Sequence, residues 1–507
     1  MDLHLSIKSS TQKPPSEGVA RTRKRYKVAD VHFHPTNYVQ QGTDPVLLLA
    51  AMDELKIMYT TLSPIPTNVL ARGCGNHDHD YDHNYDHAHD DYNPATGYPT
   101  NEANYYISSS HIKKNIVNID STTYQSNLEK DAPLYYNPGV DADTATRYRQ
   151  LNEEQKKRFD PMITGLVLGD LRCSEDLLRK LSNNPGVFTG VGEITIHKEW
   201  VEKKVPVEHQ ANLNDRSAGI KGLMRTCGVI GMPVVLHCDV DVMLNRVEGV
   251  PAYFEPIKAF LADPLCVNTK IIWAHAGGLG KYSTISDGHL ERLRQILESK
   301  AHSHVYFDLS WDTVAKQLLR KSQLDIVDDE SRVQAFCKLL SDYPDRFLFG
   351  SDSLSPNTTA IWGATADLYA KVFNIIGKDV SKAIRYGNYE RLIVSARPVV
   401  RAYERYCLPY AMILADMRQD NDVPDAVKAA IQRAVQDGIE VGLSLRAHEF
   451  EKKPIPPEIV NMQKHLMKVD ELRLIATSVL EMSKPKPWET NLAFKTNYLN
   501  KLPGSKL

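Results

Sequence analysis

The sequence predicts an α/β chain folded as a (β/α)8 barrel, with a long insertion after the second strand and a helical C-terminal extension. Two observations predict it. Eight short apolar runs between residues 27 and 351 alternate, for the most part, with segments of helical period. Six residues of metal-ligand type, His32, His34, Glu193, His237, His275 and Asp352, each follow such a run. A (β/α)8 barrel gathers its chemistry at the carboxyl ends of its strands. The runs are nearly continuous, as strands buried on both faces require. An open doubly wound sheet fits less well, because no Gly-rich phosphate turn follows the first strand.

Taken in order, residues 1–25 are polar and contain Pro14-Pro15 and the start of a basic run, and read as a tail. Strand 27–34, helix 44–56 and strand 57–63 open a barrel assigned to residues 26–395. Residues 64–160 interrupt it with Asn, Asp, Tyr, Thr and Pro, and a loop of that length leaving a strand's carboxyl end reads as a lid over the mouth. The rhythm resumes with strand 163–170, helix 174–183, strand 187–194, helix 216–230 and strand 233–238. Helix 252–263, strand 270–275, helix 288–299, strand 304–310, helix 330–342 and strand 346–351 complete it. Residues 396–507 turn helical to about 483, with one helix from Pro424 and one from Pro456-Pro457 whose stripe is Ile459, Met462, Leu466 and Val469. This extension packs on the barrel's outside or forms a homo-oligomer contact.

Composition narrows the function classes. The 507 residues are 42% hydrophobic and 24% charged with a formal charge of −2, which points to neither a nucleic-acid nor a membrane partner. Seven cysteines without C-x-x-C spacing suit a reducing compartment. With no signal-like apolar stretch, a cytoplasmic protein is expected, or a peroxisomal one if Ser505-Lys506-Leu507 is read as an import address.

His32 and His34, two apart on a strand, project to the same side, as does Asp30, and two neutral imidazoles there can grip a divalent ion. A lone His237 or His275 would read as a satisfied core residue; together, at successive strands beside an H-x-H pair, they read as ligands. Asp352 either caps the next helix or, at the closing strand beside the first, binds metal and acts as general base. The stretch 76–92 alternates histidine and aspartate. It is either a solvated low-complexity loop or a metal-capturing segment.

Asp30-Val31-His32-Phe33-His34, Gly192-Glu193, His237, Ala274-His275-Ala276-Gly277-Gly278, Phe307-Asp308-Leu309-Ser310, Asp352 and Gly387-Asn388-Tyr389-Glu390-Arg391-Leu392 together resemble the amidohydrolase superfamily, in its amidohydrolase-2 or TatD-like branch. The resemblance covers residues 27–63 and 163–395. It implies one or two divalent ions, zinc or manganese. One is held by His32, His34 and Asp352, the other by His237 and His275, with Glu193 and a hydroxide bridging them. It implies hydrolysis of a small lactone, amide or ester, lactones first. Glu193 could instead merely orient a ligand. Mononuclear relatives include nonoxidative decarboxylases, so a lyase is the alternative, and an inert metal-binding or sensory barrel is a third reading. Arg172 is the expected binder of a substrate carboxylate. Lys198 and Trp311 are further candidates, for a carboxylate and a ring.

Overall fold

The computed structural model describes residues 25–36, 42–69, 92–93, 98–99, 134–136, 139–198, 213, 217–241, 249–281, 283–322, 325–356, 358–417 and 425–482. The apolar runs pair edge to edge in chain order, β1 (Val28–Asp30), β2 (Ile57–Leu62), β3 (Phe159–Ile163), β4 (Gly190–His197), β5 (Val234–Cys238), β6 (Ile271–Trp273), β7 (Val305–Asp308) and β8 (Phe347–Leu348). Every pairing is parallel, for example Val28 with Ile57, Met162 with Gly190 and Phe307 with Phe347.

The sheet closes on itself. Beyond β8, Ser353 and Leu354 pair in parallel with Phe33 and His34, the continuation of β1. Val31 N donates to Phe349 O at 3.1 Å and Asp352 N to His32 O at 2.7 Å. Asp30 reinforces the seam, accepting from the Ser351 amide at 2.8 Å and from Trp362 Nε1 at 2.8 Å. The chain is a (β/α)8 barrel.

Residues alternate between two cores, as strand geometry demands. Ala29, Val31, Met162, Val235, Ile272 and Leu348 fill the interior together with Tyr389, Leu392 and Ile393. A larger core packs the helices outside. The Gly387–Leu392 motif belongs to the barrel's floor. Asn388 Nδ2 donates to Pro344 O and Phe347 O at 2.8 and 2.7 Å, and Arg391 Nη2 to Asp345 O at 2.6 Å, so both hold the backbone around the start of β8. Tyr389 stacks on Tyr59 and donates to Asp160 Oδ2 at 2.8 Å.

Several expected boundaries move. The third strand is Phe159–Ile163, not 163–170. Asp160-Pro161 looks like a strand breaker, yet Asp160 is buried against Arg397 and Tyr389. The amides of Thr164 and Gly165 are taken by the carboxylate of Asp141 at 2.9 and 3.1 Å instead of by a neighbouring strand. Asp141 lies on α1 (Val140–Arg149), so the last part of the insertion is an ordered helix rather than lid. At its base, Thr67–Val69 pairs antiparallel with Leu134–Tyr136. Residues 76–91 lie outside the described residues, as do 1–24 and 483–507. The fourth strand runs on to His197, which places Glu193 within it rather than at its end.

In the extension, α2 (Ala396–Tyr406), α3 (Leu408–Met417), α4 (Asp425–Glu451), α5 (Pro457–His465) and α6 (Val469–Met482) follow the barrel. The expected stripe from Ile459 to Val469 is broken, because helix α5 stops and Leu466 takes an extended conformation. Leu472, Ile475 and Val479 of α6 close a satellite core on Ile413 of α3 and Ile431 of α4. Arg446 of α4 anchors it to the barrel shell by donating to Val229 O and Ile230 O at 2.9 and 2.8 Å. No helix among the described residues is long and apolar enough to cross a membrane.

Candidate metal centre

Each of the six expected side chains reaches one point at the carboxyl end of the barrel, by a different local device. Strand β1 breaks after Asp30, and His34 resumes pairing beside Ser353–Leu354. Asp30 is engaged with Ser351 and Trp362 and does not share the histidines' role. β6 ends at Trp273, and His275 stands on a left-handed turn with φ of 59° at His275, 50° at Ala276, 81° at Gly277 and 79° at Gly278. L-residues adopt that conformation at a cost, so such backbone persists where its surroundings impose it. A Cβ at Gly278 would fall 2.1 Å from Cys238 O, which explains a glycine there. Asp352 also has positive φ, 54°.

Glu193 is the centre of the arrangement. Its Oε1 lies 2.6 Å from His237 Nδ1 and 3.5 Å from His275 Nε2. Its Oε2 lies 3.6 Å from His32 Nε2 and 3.5 Å from His34 Nε2. Asp352 Oδ1 stands 3.1 Å from His34 Nε2 and 3.4 Å from His32 Nε2, and its Oδ2 is 4.0 Å from His275 Nε2. All four rings are at most 2% exposed.

The outer nitrogen of every ring is held. His32 Nδ1 donates to Asp308 Oδ2 at 2.9 Å, His34 Nδ1 to Ser63 O at 2.8 Å, and His237 Nε2 to Asp239 Oδ1 at 2.9 Å. Ser310 Oγ gives its own proton to Asp308, so it accepts from His275 Nδ1 at 2.8 Å. These partners fix the tautomers that turn Nε2 of His32, His34 and His275 inward, and His237 turns Nδ1 inward. Sequence reasoning missed Asp239 and quoted Asp308 and Ser310 only within a family motif, without a role. The signals were present: Asp308 ends an apolar run as the six candidates end or follow theirs, and Asp239 and Ser310 stand two residues beyond His237 and Asp308.

The electrostatics describe a site short of positive charge. Burial opposes ionisation of His32, but the carboxylates of Glu193, Asp308 and Asp352 outweigh it and hold its pKa well above the usual imidazole range. Burial likewise opposes the charge on Glu193, yet His32 and His237 keep that carboxyl well below its usual range. Asp352 is lowered too, against burial, by His275 and His32. His275 goes the other way: burial, with repulsion from His237 and His32, outweighs the pull of Asp352.

A divalent cation fits this donor set. His32 Nε2 is buried with no hydrogen-bond partner among the described residues. His32, His34 and Glu193 present ligand atoms within 4.8 Å of one another, as do Glu193, His237 and His275. His32, His275 and Asp308 form a third such group, but Asp308 faces the outer nitrogen of His32. Buried carboxylates and inward imidazole nitrogens are the ligands zinc and manganese accept. Arg172 is placed differently from the six. It stands at the start of the helix Cys173–Asn183, half exposed, its Nε donating to Glu175 Oε2 at 3.0 Å.

No family model matches the chain, and no curated protein matches it in sequence. Among solved structures, one similar chain is a probable 2-pyrone-4,6-dicarboxylic acid hydrolase from Acinetobacter baumannii crystallised with citric acid. It is 9% identical at a TM-score of 0.37, over 73% of this chain and 100% of that one. Another is dihydroorotase from Campylobacter jejuni, 13% identical at a TM-score of 0.34, over 72% of this chain and 82% of that one. The chemistry of the site is therefore read from its own residues.

Proposed function

We infer that this chain is a metal-dependent hydrolase of the amidohydrolase type, acting on a small lactone, amide or ester. One observation carries the reading: Glu193 faces a histidine pair with each of its two oxygens. His32, His34 and Asp352 would hold one divalent ion and His237 and His275 a second, with Glu193 available to both. Zinc or manganese suits it. Such ions, when bound, would supply a nucleophilic water at neutral pH and polarisation of the scissile carbonyl.

The chain's own groups do the rest. Asp352 accepts at a carboxylate oxygen the proton released by the attacking water and returns it to the leaving group. Asp308, Asp239, Ser310 and the Ser63 carbonyl keep the four imidazoles in one tautomer each, so the site is organised before substrate arrives. A glutamate on β4, where other family branches use a carboxylated lysine, favours the TatD-like and lactonase members by resemblance, and lactones head the substrate series. The partner is a small molecule.

The test is metal stoichiometry by elemental analysis, on the intact chain and on one lacking residues 76–92, each with and without Glu193→Ala. The expected result is about two ions per chain without the stretch, falling on loss of Glu193. A single ion indifferent to Glu193, with carbon dioxide released from an acid substrate, would move the assignment to a mononuclear decarboxylase. No bound ion would end the enzyme reading.

A further inference from the structure

Two further side chains stand beside the histidine cluster. Lys198 directly follows β4, and Trp311 lies three residues beyond β7. The indole of Trp311 is 5.4 Å from the His275 ring, tilted by 59°. Lys198 Nζ is 5.8 Å from the indole centroid. The lysine's charge is also felt by His237 and Asp239, opposing protonation of the first and favouring ionisation of the second. Since β4, β5, β6 and β7 are successive neighbours in the barrel, ammonium and indole flank one side of the site, beside His237 and His275.

Trp311 is fixed in that position. Its backbone is left-handed, φ 74°, and its amide donates to Ser351 O at 3.2 Å. Gly280 packs against its ring, where a Cβ would approach to 3.0 Å. A bulky residue keeps positive φ only where its surroundings determine it, and such residues gather at ligand sites. Lys198 brings a cation beside the indole, and an ammonium is a partner for a carboxylate.

We propose that Lys198 and Trp311 form the recognition wall of the site and select small planar carboxylates, whose ring or conjugated system lies along the indole while the carboxylate meets the ammonium. The proposal rests on the hydrolase reading for the reaction and adds the substrate class. A flat indole matches a flat ligand by stacking. A saturated or neutral analogue loses one of the two contacts.

The test is binding rather than turnover. Benzoate, benzamide and cyclohexanecarboxylate are titrated calorimetrically into the full, metal-loaded chain and into Lys198→Met, Lys198→Arg, Trp311→Leu and Trp311→Phe, with metal content and circular dichroism recorded for each. Benzoate is expected to bind best and to weaken about tenfold or more in Lys198→Met and in Trp311→Leu. Lys198→Arg and Trp311→Phe, which retain charge and ring, should stay within about threefold. Absence of benzoate binding by the unaltered chain, or indifference to either Lys198→Met or Trp311→Leu in a folded, metal-loaded variant, overturns the wall. Failure of the wall with two ions and lactone turnover retained leaves the hydrolase standing. The expected binding pattern in a chain with no stoichiometric ion supports the wall and removes the hydrolase.

Discussion

The floor and the mouth of this barrel both bury carboxylates, and they treat them in opposite ways. At the floor, Asp160 is fully buried and completely answered: Arg397 donates to it through Nε and Nη2 at 2.6 Å each, and Tyr389 donates at 2.8 Å. At the mouth, Glu193, Asp352 and Asp308 are gathered around rings of which one, His32, has an inward nitrogen with no hydrogen-bond partner among the described residues. A buried ion pair with all its hydrogen bonds made has nothing left to bind. A buried cluster of carboxylates around inward lone pairs is incomplete until a cation arrives. The floor therefore belongs to folding and the mouth to function, although both are polar, buried and within one barrel.

The sharpest way to break this contrast is to unbalance the floor. Arg397→Met leaves Asp160 buried with Tyr389 as its remaining named partner, and loss of one member of a buried pair costs about 3–5 kcal/mol. The unfolding midpoint in urea should fall accordingly, while ions bound per folded chain stay as in the unaltered protein. Loss of metal with stability unchanged would show that floor and mouth are not separate.

The mouth predicts the converse. Asp308 touches His32 Nδ1, the His275 amide at 2.8 Å and Ser310, so one carboxylate orients rings from β1 and from beyond β6. Asp308→Asn keeps its shape and removes its charge. Metal affinity, measured by competition with a chelator, is expected to fall about 10- to 100-fold, the usual effect of losing a group that orients a ligand. Unfolding of the metal-free chain should change little by comparison. An unaltered affinity would mean that the rings are placed by backbone alone.

How much of this was legible follows the same division. Six candidate ligands were readable because each ends or follows an apolar run, and a barrel brings such ends together wherever they lie in the chain. What could not be read is what depends on a partner distant in sequence. Asp160-Pro161 looks like a break until Arg397 and Tyr389 are folded against it. Residues 164–170 look like a strand until Asp141 takes the Thr164 and Gly165 amides. The orienting set was half visible. Asp308 and Ser310 stood in a quoted motif, but that they face His32 and His275 is a property of β7 lying beside β6 and, across the barrel mouth, within reach of β1. The left-handed turn at His275 had its signal in Gly277-Gly278, read as family likeness rather than as backbone geometry.

His289 gives the smallest of these effects. It opens the helix His289–Glu298 and is buried, with Nε2 donating to Ala276 O at 2.9 Å, so it clasps the turn that carries His275. Burial, with Arg292 nearby, pushes its pKa down to about 4 despite the bond to Ala276. The unfolded chain, with an imidazole near the ordinary value of about 6.5, binds a proton in that interval and the folded chain does not. Stability from this group is therefore complete above about pH 6.5 and is lost as pH falls toward about 4. Between about pH 7 and about pH 5.5 the loss should be near 1 kcal/mol, and His289→Gln, which cannot titrate, should lack that share. Urea unfolding of both chains at the two pH values checks it. Equal losses in the two would place the acid sensitivity among the histidines of the mouth instead, where protonation competes directly with metal.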